Sequence, residues 1–284
     1  MAELGGTFRL GGDGPEVNRL GFGAMRLTGR GIWGEPPDRE AARGVVRRAV
    51  ELGVNLIDTA DSYGPAVSEE IIAEALHPYP DGLVIATKGG LTRSGPGRWD
   101  RDGRPEHLRE ACEGSLRGLR LDAIEVYQLH AVDPKVPLEE SVGTLIELRD
   151  AGKIRRIGLS NVTVEELERA LALTAVVTVQ NRYNLADRSS ENVLEACAAR
   201  RIGFIPWFPL ATGELARPSG TLEEIARRHD ATPAQVALAW LLARSEVTLP
   251  IPGTASIQHL EENLAAGRLR LDPDEVAALA DAVG

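Results

Sequence analysis

Apolar segments of strand length alternate with amphipathic helical segments along most of the chain, and this alternation restricts the fold more than any other feature. The strand-like segments begin near residues 20, 54, 83, 123, 154, 176, 202 and 248. Between them, apolar residues recur with the period of a helix. Alternation of this kind predicts a parallel sheet covered by helices, and eight units within 284 residues predict an α/β fold of the closed (β/α)8 TIM barrel type.

The two ends of the chain each add one element to that barrel. Short polar-apolar alternations at residues 8–10 and 17–20 predict an N-terminal β-hairpin. Asp272-Pro273 predicts the start of an extra C-terminal helix. A doubly wound open sheet is the rival architecture, but the chain lacks the Gly-x-Gly-x-x-Gly turn by which such a sheet binds a dinucleotide. No linker interrupts the pattern, so residues 1–284 are predicted to form a single barrel domain.

Four polar residues come at or just after the ends of the second, third and fourth predicted strands. Asp58 ends the second strand and Tyr63 follows it, Lys88 ends the third, and His130 ends the fourth. Because the carboxyl ends of parallel strands lie on one rim of a barrel, we expect these side chains to be neighbours. Lys88 is one of three lysines in a chain that carries most of its positive charge as arginine. A lysine directly after an apolar strand is therefore a strong candidate for a functional residue.

These four residue types together can perform acid catalysis. An adjacent ammonium group favours the tyrosine anion, so Lys88 is expected to lower the pKa of Tyr63 and make the phenol a better proton donor. The carboxylate of Asp58 would keep Lys88 charged and oriented. The imidazole of His130 would hydrogen-bond a substrate oxygen beside the phenol. Each residue alone has an ordinary structural explanation, and their joint arrival at one rim is what favours a functional site.

Composition excludes several other classes of function. The net charge of −10, without a cluster of Lys and Arg, argues against nucleic acid or an anionic membrane as a partner. No signal peptide is recognisable, and the longest apolar run, residues 236–243, is too short to span a bilayer, so we expect a cytoplasmic protein. Cys112 and Cys197 are interpreted as buried packing residues. The lack of a His-x-His motif near the first strand disfavours a metal-dependent hydrolase, and no metal is expected.

Several short motifs at the strand ends together resemble those of a known family. They are Asp58-Thr-Ala-Asp-Ser-Tyr63, Ile85-Ala-Thr-Lys88, Gln128-Leu-His130, Ile157-Gly-Leu-Ser-Asn161, Val179-Gln180, Trp207-Phe-Pro-Leu210 and Pro250-Ile-Pro-Gly-Thr254. On these motifs the chain resembles the aldo-keto reductase superfamily over essentially its whole length. Among the branches of that superfamily, it looks most like the bacterial pyridoxal reductases.

The resemblance implies a catalytic tetrad of Asp58, Tyr63, Lys88 and His130 and a nicotinamide cofactor, NADP(H) with NAD(H) as the alternative, bound across the barrel mouth. Trp207 takes the place of an aromatic residue that stacks on the nicotinamide. The residues that match cofactor contacts in the family are Ser160, Asn161, Gln180, Trp207, Leu210, Gly213, Gly253, Thr254, Ser256, His259, Glu262 and Asn263. The expected substrate wall consists of Met25, Trp33 and Trp99.

The chain departs from the family pattern at two places. Gly253 and His259 stand where many members carry a lysine and an arginine near the 2′-phosphate, so a weaker preference for NADP over NAD is expected. Met25 stands where some members have a tryptophan in the substrate pocket, and Trp33 and Trp99 could supply the missing aromatic wall or could be ordinary loop anchors.

The leading functional hypothesis is reduction of an aldehyde or ketone by NAD(P)H, with pyridoxal as the specific substrate. The alternative is a regulatory or redox-sensing subunit that binds the nicotinamide cofactor with little turnover, and the intact tetrad counts against it. The expected partner is a small carbonyl compound, with no nucleic acid and no membrane, and a monomer is favoured.

Overall fold

A curled parallel sheet with helices on its outer face dominates the computed structural model, which describes residues 4–216 and 220–282. Its strands and those of two hairpins are β1 Thr7–Arg9, β2 Glu16–Asn18, β3 Phe22–Gly23, β4 Leu56–Asp58, β5 Val84–Gly89, β6 Leu91–Gly95, β7 Arg98–Arg101, β8 Ile124–Leu129, β9 Ile154–Ser160, β10 Thr178–Arg182 and β11 Gly203–Trp207. The sheet has the order β11-β10-β9-β8-β5-β4-β3. All six pairings in it are parallel, which confirms the predicted α/β barrel.

The helices follow the strands in the predicted alternation. They are α1 Arg39–Glu51, α2 Val67–Leu76, α3 Pro105–Leu119, α4 Leu138–Asp150, α5 Val164–Leu171, α6 Glu191–Arg200, α7 Gly220–Arg228, α8 Pro233–Arg244, α9 Ile257–Ala265 and α10 Pro273–Ala282. Both predicted capping boxes are present, at Thr163 with Glu166 and at Thr232 with Gln235. The N-terminal hairpin and the extra C-terminal helix are β1–β2 and α10.

The expected eighth strand, residues 248–251, differs from a regular strand. It forms an isolated bridge with β11 rather than a regular strand, and the amide of Gly21 donates to the carbonyl of Pro250 across the gap to the first strand. Pro250 and Pro252 have no N–H to donate, so this segment can accept hydrogen bonds but cannot form a complete ladder. The barrel is therefore closed at this point by individual hydrogen bonds.

A second hairpin, β6–β7, lies between β5 and α3, where only a loop was expected. It is antiparallel, with Leu91 opposite Arg101. All four residues of β7 are exposed, so the hairpin lacks the alternation of apolar and polar residues by which strands are recognised in sequence. The tip contains Gly97, which has a φ of +68° that favours glycine.

The core fills the barrel and the space between the sheet and the helices. Strands β4 and β5 are buried along their whole length, as expected for parallel strands covered on both faces. Cys112 and Cys197 are completely buried in this core, and burial raises the pKa of each thiol to about 12. Within the described ranges, no helix is long and apolar enough to cross a membrane.

Candidate active site

Lys88 and Asp58 form a buried ion pair at the carboxyl end of the sheet. Asp58 is the last residue of β4 and Lys88 lies on the neighbouring strand β5. The Lys88 Nζ atom lies 2.9 and 2.8 Å from the two carboxylate oxygens of Asp58 and donates a third hydrogen bond, of 2.7 Å, to the carbonyl of Thr59. Lys88 is 0% and Asp58 1% exposed. All three protons of the ammonium group therefore have acceptors, which a buried lysine requires.

Burial lowers the pKa of Lys88, but the charge of Asp58 and the phenol of Tyr63 outweigh it and raise the pKa above its ordinary value. The lysine is therefore charged across the physiological pH range. The carboxylate of Asp58 also accepts hydrogen bonds from Gln180, at 2.7 Å, and Gln128, at 3.4 Å. These donors support a charged pair in an interior where an unsatisfied ion would be costly.

Tyr63 lies in the loop between β4 and α2 and is buried beside this ion pair. The Lys88 Nζ atom is 5.3 Å from the centroid of the phenol ring. Burial raises the pKa of Tyr63, and the opposing effect of Lys88 does not overcome it. This outcome differs from the lowered pKa expected from the sequence, because sequence reasoning counted the adjacent charge and not the loss of water. The phenol is accordingly protonated at neutral pH, the state that a proton donor requires.

His130 follows β8 and faces the same phenol. Its ring is 5.9 Å from that of Tyr63 and nearly perpendicular to it. Burial lowers the pKa of His130 well below its ordinary value, and the positive charges of Lys88 and Arg93 act in the same direction. The Nδ1 atom lies 3.4 Å from the hydroxyl of Ser62. The imidazole is therefore neutral at pH 7 and can act as a hydrogen-bonding group.

A chain of hydrogen bonds extends from His130 along the rim to Trp207. Asn161 has a left-handed backbone, with φ of +57°, and its amide nitrogen donates to the carbonyl of His130 at 2.9 Å and to the hydroxyl of Ser160 at 3.1 Å. The indole N–H of Trp207 donates to the amide oxygen of Asn161 at 3.0 Å. Asn161 therefore fixes the orientation of three neighbours.

These side chains line a cavity of about 480 Å³ at the barrel mouth. Twelve of the residues expected to act at the site line it. They are Met25, Asp58, Tyr63, Trp99, His130, Ser160, Asn161, Gln180, Trp207, Leu210, Gly213 and Gly253. Lys88 does not line the cavity, but it contacts Asp58 and Tyr63, which do. A pocket with a mostly apolar lining and a small number of polar side chains is the usual form of a small-molecule site.

A sequence model of the Aldo/keto reductase family matches residues 19–283, which is nearly the whole chain. The chain belongs to the aldo/keto reductase family. An uncharacterized oxidoreductase of Schizosaccharomyces pombe is 48% identical to it over 278 residues, 98% of this chain and 90% of that protein. Pyridoxine 4-dehydrogenase of Escherichia coli is 44% identical over 279 residues, 96% of each chain.

A solved structure of another aldo/keto reductase supports the same assignment. The enzyme from Klebsiella pneumoniae in complex with NADP and acetate superposes with a TM-score of 0.82 at 29% sequence identity, and the match covers 98% of this chain and 95% of that one. The protein is thus an aldo/keto reductase, an oxidoreductase of a family that uses nicotinamide cofactors.

The groups at the cavity of this aldo/keto reductase fit a nicotinamide ring and its carboxamide. Ser160 offers a hydroxyl, and Gln180, whose amide nitrogen donates to Asp58, offers an amide oxygen. Trp207 offers a flat aromatic face at the same cavity. A carboxamide needs both a donor and an acceptor, and this set supplies them.

Several of the predicted site residues do not line this cavity. Trp33 does not line the cavity; its backbone pairs with Gly64, its ring lies 5.8 Å from the Arg93 guanidinium, and Ile32 lines the cavity in its place. The residues beyond Gly253 also lie outside the lining: Thr254, Ser256, His259, Glu262 and Asn263.

The segment beyond Gly253 forms the start of α9. The hydroxyl of Ser256 accepts a hydrogen bond from the backbone N–H of His259 and caps the helix, while Thr254 accepts one from the N–H of Ser256. Glu262 accepts one at its carbonyl from Gln235, and Asn263 is buried. The structure thus gives these residues local structural contacts.

Sequence reasoning missed one charged residue of the cavity. Arg26 lies on the short 3-10 helix after β3, is exposed, and lines the cavity beside Gly253. A β-carbon placed on Gly253 would lie 3.6 Å from the Cγ atom of Arg26. The sequence could have indicated Arg26 through its position directly after Met25, which was predicted to line the substrate site. The missed apolar lining residues are Ile32, Leu91, Phe208, Pro209, Ile251 and Pro252.

Two further acids lie behind the tetrad. Burial raises the pKa of Glu69, on α2, to about 7, although its carboxylate accepts a 2.6 Å hydrogen bond from Thr87. Burial and the charge of Glu69 raise the pKa of Asp61 well above its ordinary value. Within residues 4–216 and 220–282, no three His, Cys, Asp or Glu side chains converge as metal ligands.

Proposed function

We propose that this aldo/keto reductase reduces the carbonyl group of an aldehyde or ketone with Tyr63 as the proton donor. The observation that carries the proposal is the position of the Tyr63 phenol, which is buried beside the Lys88–Asp58 pair and lines the cavity together with His130. The nicotinamide cofactor, when bound, supplies the hydride that the carbonyl carbon accepts. The chain itself must then provide one proton and hold the reacting oxygen.

The proton comes from the Tyr63 hydroxyl. As the carbonyl carbon is reduced, its oxygen gains negative charge and takes the phenolic proton, which yields the alcohol and a tyrosinate. The ammonium of Lys88 stabilises that tyrosinate by its charge, and Asp58 keeps the ammonium in place. The tyrosinate then regains a proton from water, and in the direction of alcohol oxidation the same groups act in reverse.

His130 orients the carbonyl. Its ring is neutral, buried and perpendicular to that of Tyr63, so a nitrogen of the imidazole can donate a hydrogen bond to the substrate oxygen without competing as an acid. Two donors at one oxygen define the direction from which the carbonyl carbon is approached, and such positioning contributes to the rate.

Ser160, Gln180 and Trp207 are the residues that we assign to the nicotinamide end of the cofactor, with Asn161 holding Ser160 and Trp207 in place. We assign Leu210, Gly213 and Gly253 to the rest of the cofactor along the cavity. Thr254, Ser256, His259, Glu262 and Asn263, at the start of α9, remain proposed contacts for the adenosine end.

NADP(H) is the proposed cofactor. Arg26 supports this choice, since it places a guanidinium at the cavity beside Gly253, where many family members carry a lysine. The crystallised relative from Klebsiella pneumoniae binds NADP. We expect NADPH to be preferred over NADH by a smaller ratio than a site with two fixed cations would give.

Pyridoxal is the proposed substrate, with pyridoxine as the product. The 44% identity to pyridoxine 4-dehydrogenase of Escherichia coli over almost the whole chain supports it. The substrate side of the cavity is apolar and aromatic, with Met25, Ile32, Leu91 and Trp99 in its lining. Such a wall favours a flat heteroaromatic aldehyde over a small hydrophilic sugar.

The test is a steady-state assay in which oxidation of NADPH or NADH is followed by absorbance with pyridoxal, benzaldehyde and propanal. We expect turnover with all three, the highest kcat/KM with pyridoxal, and faster reaction with NADPH. If pyridoxal reacts no faster than propanal, the substrate assignment is wrong while the reductase assignment stands. Tight cofactor binding without turnover of any carbonyl would instead favour the regulatory subunit.

We also propose that the chain acts as a single barrel domain, a monomer in the cytoplasm. The uninterrupted barrel core, which includes residues from β1 to α10, supports the first point. Light scattering coupled to size-exclusion chromatography tests the second, since a monomer would have the chain mass of 30.5 kDa. Cell fractionation tests the third.

A further inference from the structure

Arg93, on strand β6 of the β6–β7 hairpin, connects three segments around the cavity. Its side chain donates five hydrogen bonds, and every acceptor is a backbone carbonyl. The acceptors are Gly31 at 2.9 Å, Ile32 at 2.7 Å, Ser62 at 2.9 Å, Gly95 at 3.4 Å and Arg98 at 2.8 Å. They belong to the loop after β3, the loop after β4 and the hairpin itself. One guanidinium thus joins segments that are more than sixty positions apart in sequence.

These hydrogen bonds use all three nitrogen atoms of the Arg93 guanidinium. A guanidinium carries five N–H groups in a fixed fork, and Nε, Nη1 and Nη2 of Arg93 all donate to carbonyls. None of the ion pairs between residues in the described ranges includes Arg93. The side chain is therefore arranged to fix backbone segments, and it does not present free donors to an anionic substrate.

The same guanidinium also holds Trp99. Its central carbon lies 3.6 Å from the centroid of the Trp99 ring, a close cation–π contact. The ring of Trp99 is in turn edge-on to Tyr63 and to His130, with both centroids 6.3 Å away. Trp99 is 36% exposed on a strand with no buried residue. The apolar core therefore does not hold this ring, and Arg93 is its main anchor.

We propose that Arg93 is a positioning residue that sets Trp99 as one wall of the substrate site and thereby selects flat aromatic aldehydes over small aliphatic ones. The inference rests on the proposed carbonyl reduction. Trp99 stands beside the two residues that act on the reacting oxygen, so a flat substrate would pack its ring against the indole while its carbonyl reaches Tyr63. A small aliphatic aldehyde gains little from that wall.

The experiment compares four variants with the wild-type enzyme under saturating NADPH, with benzaldehyde and propanal as probes. Arg93→Met removes the fork and the charge, and Arg93→Lys keeps the charge but cannot reach five carbonyls. Trp99→Ala removes the wall. Arg98→Met is the matched control, because Arg98 is an exposed arginine on the same hairpin that contributes only its backbone carbonyl to the network.

In both Arg93 variants, the ratio of kcat/KM for benzaldehyde to that for propanal should fall about tenfold, as expected for the loss of one ordered aromatic contact. The loss should appear as a higher KM for benzaldehyde with little change in kcat, because the wall contributes to binding and not to the chemical step. Arg98→Met should keep the wild-type ratio. If Arg93→Lys does not restore the aldehyde ratio of the wild type, the five donors of the guanidinium are required and a positive charge alone is not sufficient.

A double variant shows whether Arg93 acts through Trp99. If it does, adding Arg93→Met to Trp99→Ala should leave the aldehyde ratio of the single Trp99→Ala variant unchanged. Additive effects would overturn the inference, as would an unchanged ratio in both Arg93 variants or an equal loss of kcat/KM for the two aldehydes. Should Arg93→Met fail to fold in a thermal melt, Arg93→Lys carries the same test.

The same data separate this inference from the proposed function. A wild-type enzyme that reduces none of pyridoxal, benzaldehyde and propanal with NADPH or NADH overturns the proposed function. A wild-type enzyme that reduces both benzaldehyde and propanal, with a ratio shared by all variants, overturns only the assignment of Arg93.

Discussion

The tetrad and the β6–β7 hairpin face the same cavity, yet different interactions hold them. Lys88 and Asp58 lie on neighbouring strands, are completely buried, and are linked at 2.8 Å. The hairpin has an exposed outer strand, and one arginine, Arg93, joins it to the loops after β3 and β4. Under the two proposals above, the chemistry of this enzyme belongs to the buried sheet, and the selection of substrate belongs to a hairpin with an exposed strand and few core contacts.

The largest expected effect follows from removing the proton donor. Tyr63→Phe should lower kcat by about 10² to 10⁴, the usual contribution of general acid catalysis, and by the same factor for aromatic and aliphatic aldehydes. That uniform loss distinguishes the tetrad from the hairpin. Steady-state assays and a fluorescence titration of NADPH binding measure it.

Tyr79→Phe is the control for that variant, since the Tyr79 hydroxyl donates to the carbonyl of Leu119 away from the cavity. Near-normal turnover of Tyr63→Phe, or a loss confined to one class of aldehyde, would remove Tyr63 from the proposed chemistry.

The next largest expected effect concerns the contribution of the Lys88–Asp58 ion pair to the stability of the fold. Lys88→Met leaves the carboxylate of Asp58 buried without its counter-charge, which should lower the free energy of unfolding by about 3–5 kcal/mol. Adding Asp58→Asn should recover much of that stability without restoring activity. Urea unfolding of the two variants is the measurement, and equal stability of the single and double variants would contradict the view that the ion pair is fixed by burial.

The two regions also differ in how well sequence predicts them. Asp58, Lys88 and His130 could be placed because each ends a strand, and parallel strands bring their ends to one rim. The hairpin was not predicted because its exposed strand has no apolar period, and the sequence left open whether Trp33 lines the substrate wall, where the cavity has Ile32 in its lining. Whether residue 32 or residue 33 of a loop faces a cavity cannot be predicted from hydrophobic periodicity, since loops have no period.

Other features, including the direction of the pKa shift of Tyr63, could be determined only from the structure. The sequence gives the charge next to Tyr63 but not its burial, and burial decides the direction of the pKa shift. It also gives the prolines at 250 and 252 without showing that they prevent a regular eighth strand. Arg26 and Arg93 were missed because each lies on a short element without a hydrophobic period, so nothing in the sequence pattern marks the contacts of its side chain.

The buried acid behind the tetrad predicts a pH effect that the exposed hairpin should not have. Glu69 has a pKa of about 7 in the folded protein against 4.5 ordinarily, so between these values the folded state keeps a proton that the unfolded state has lost. Stability is therefore fully present below pH 4.5 and falls as pH rises towards 7, by roughly 3 kcal/mol from this group.

Glu69→Gln should remove that decline, as measured by urea unfolding at several pH values between 4.5 and 8. Asp100→Asn, at an exposed carboxyl group of the hairpin, is the control and should behave as wild type. An unaltered pH dependence in Glu69→Gln would show that the folded protein tolerates this charge.

The smallest expected effect tests whether the hydrogen-bonded residues between His130 and Trp207 contribute to cofactor binding. Trp207→Ala removes an aromatic face and should weaken NADPH binding by about 1–3 kcal/mol, by analogy with bases stacked on aromatic side chains. Trp207→Phe keeps a flat ring but loses the hydrogen bond to Asn161, so it should recover most of that affinity if stacking dominates. If the phenylalanine variant binds as weakly as the alanine variant, orientation of Asn161 is the main contribution of Trp207, and the hydrogen-bonded rim extends to the cofactor end of the cavity.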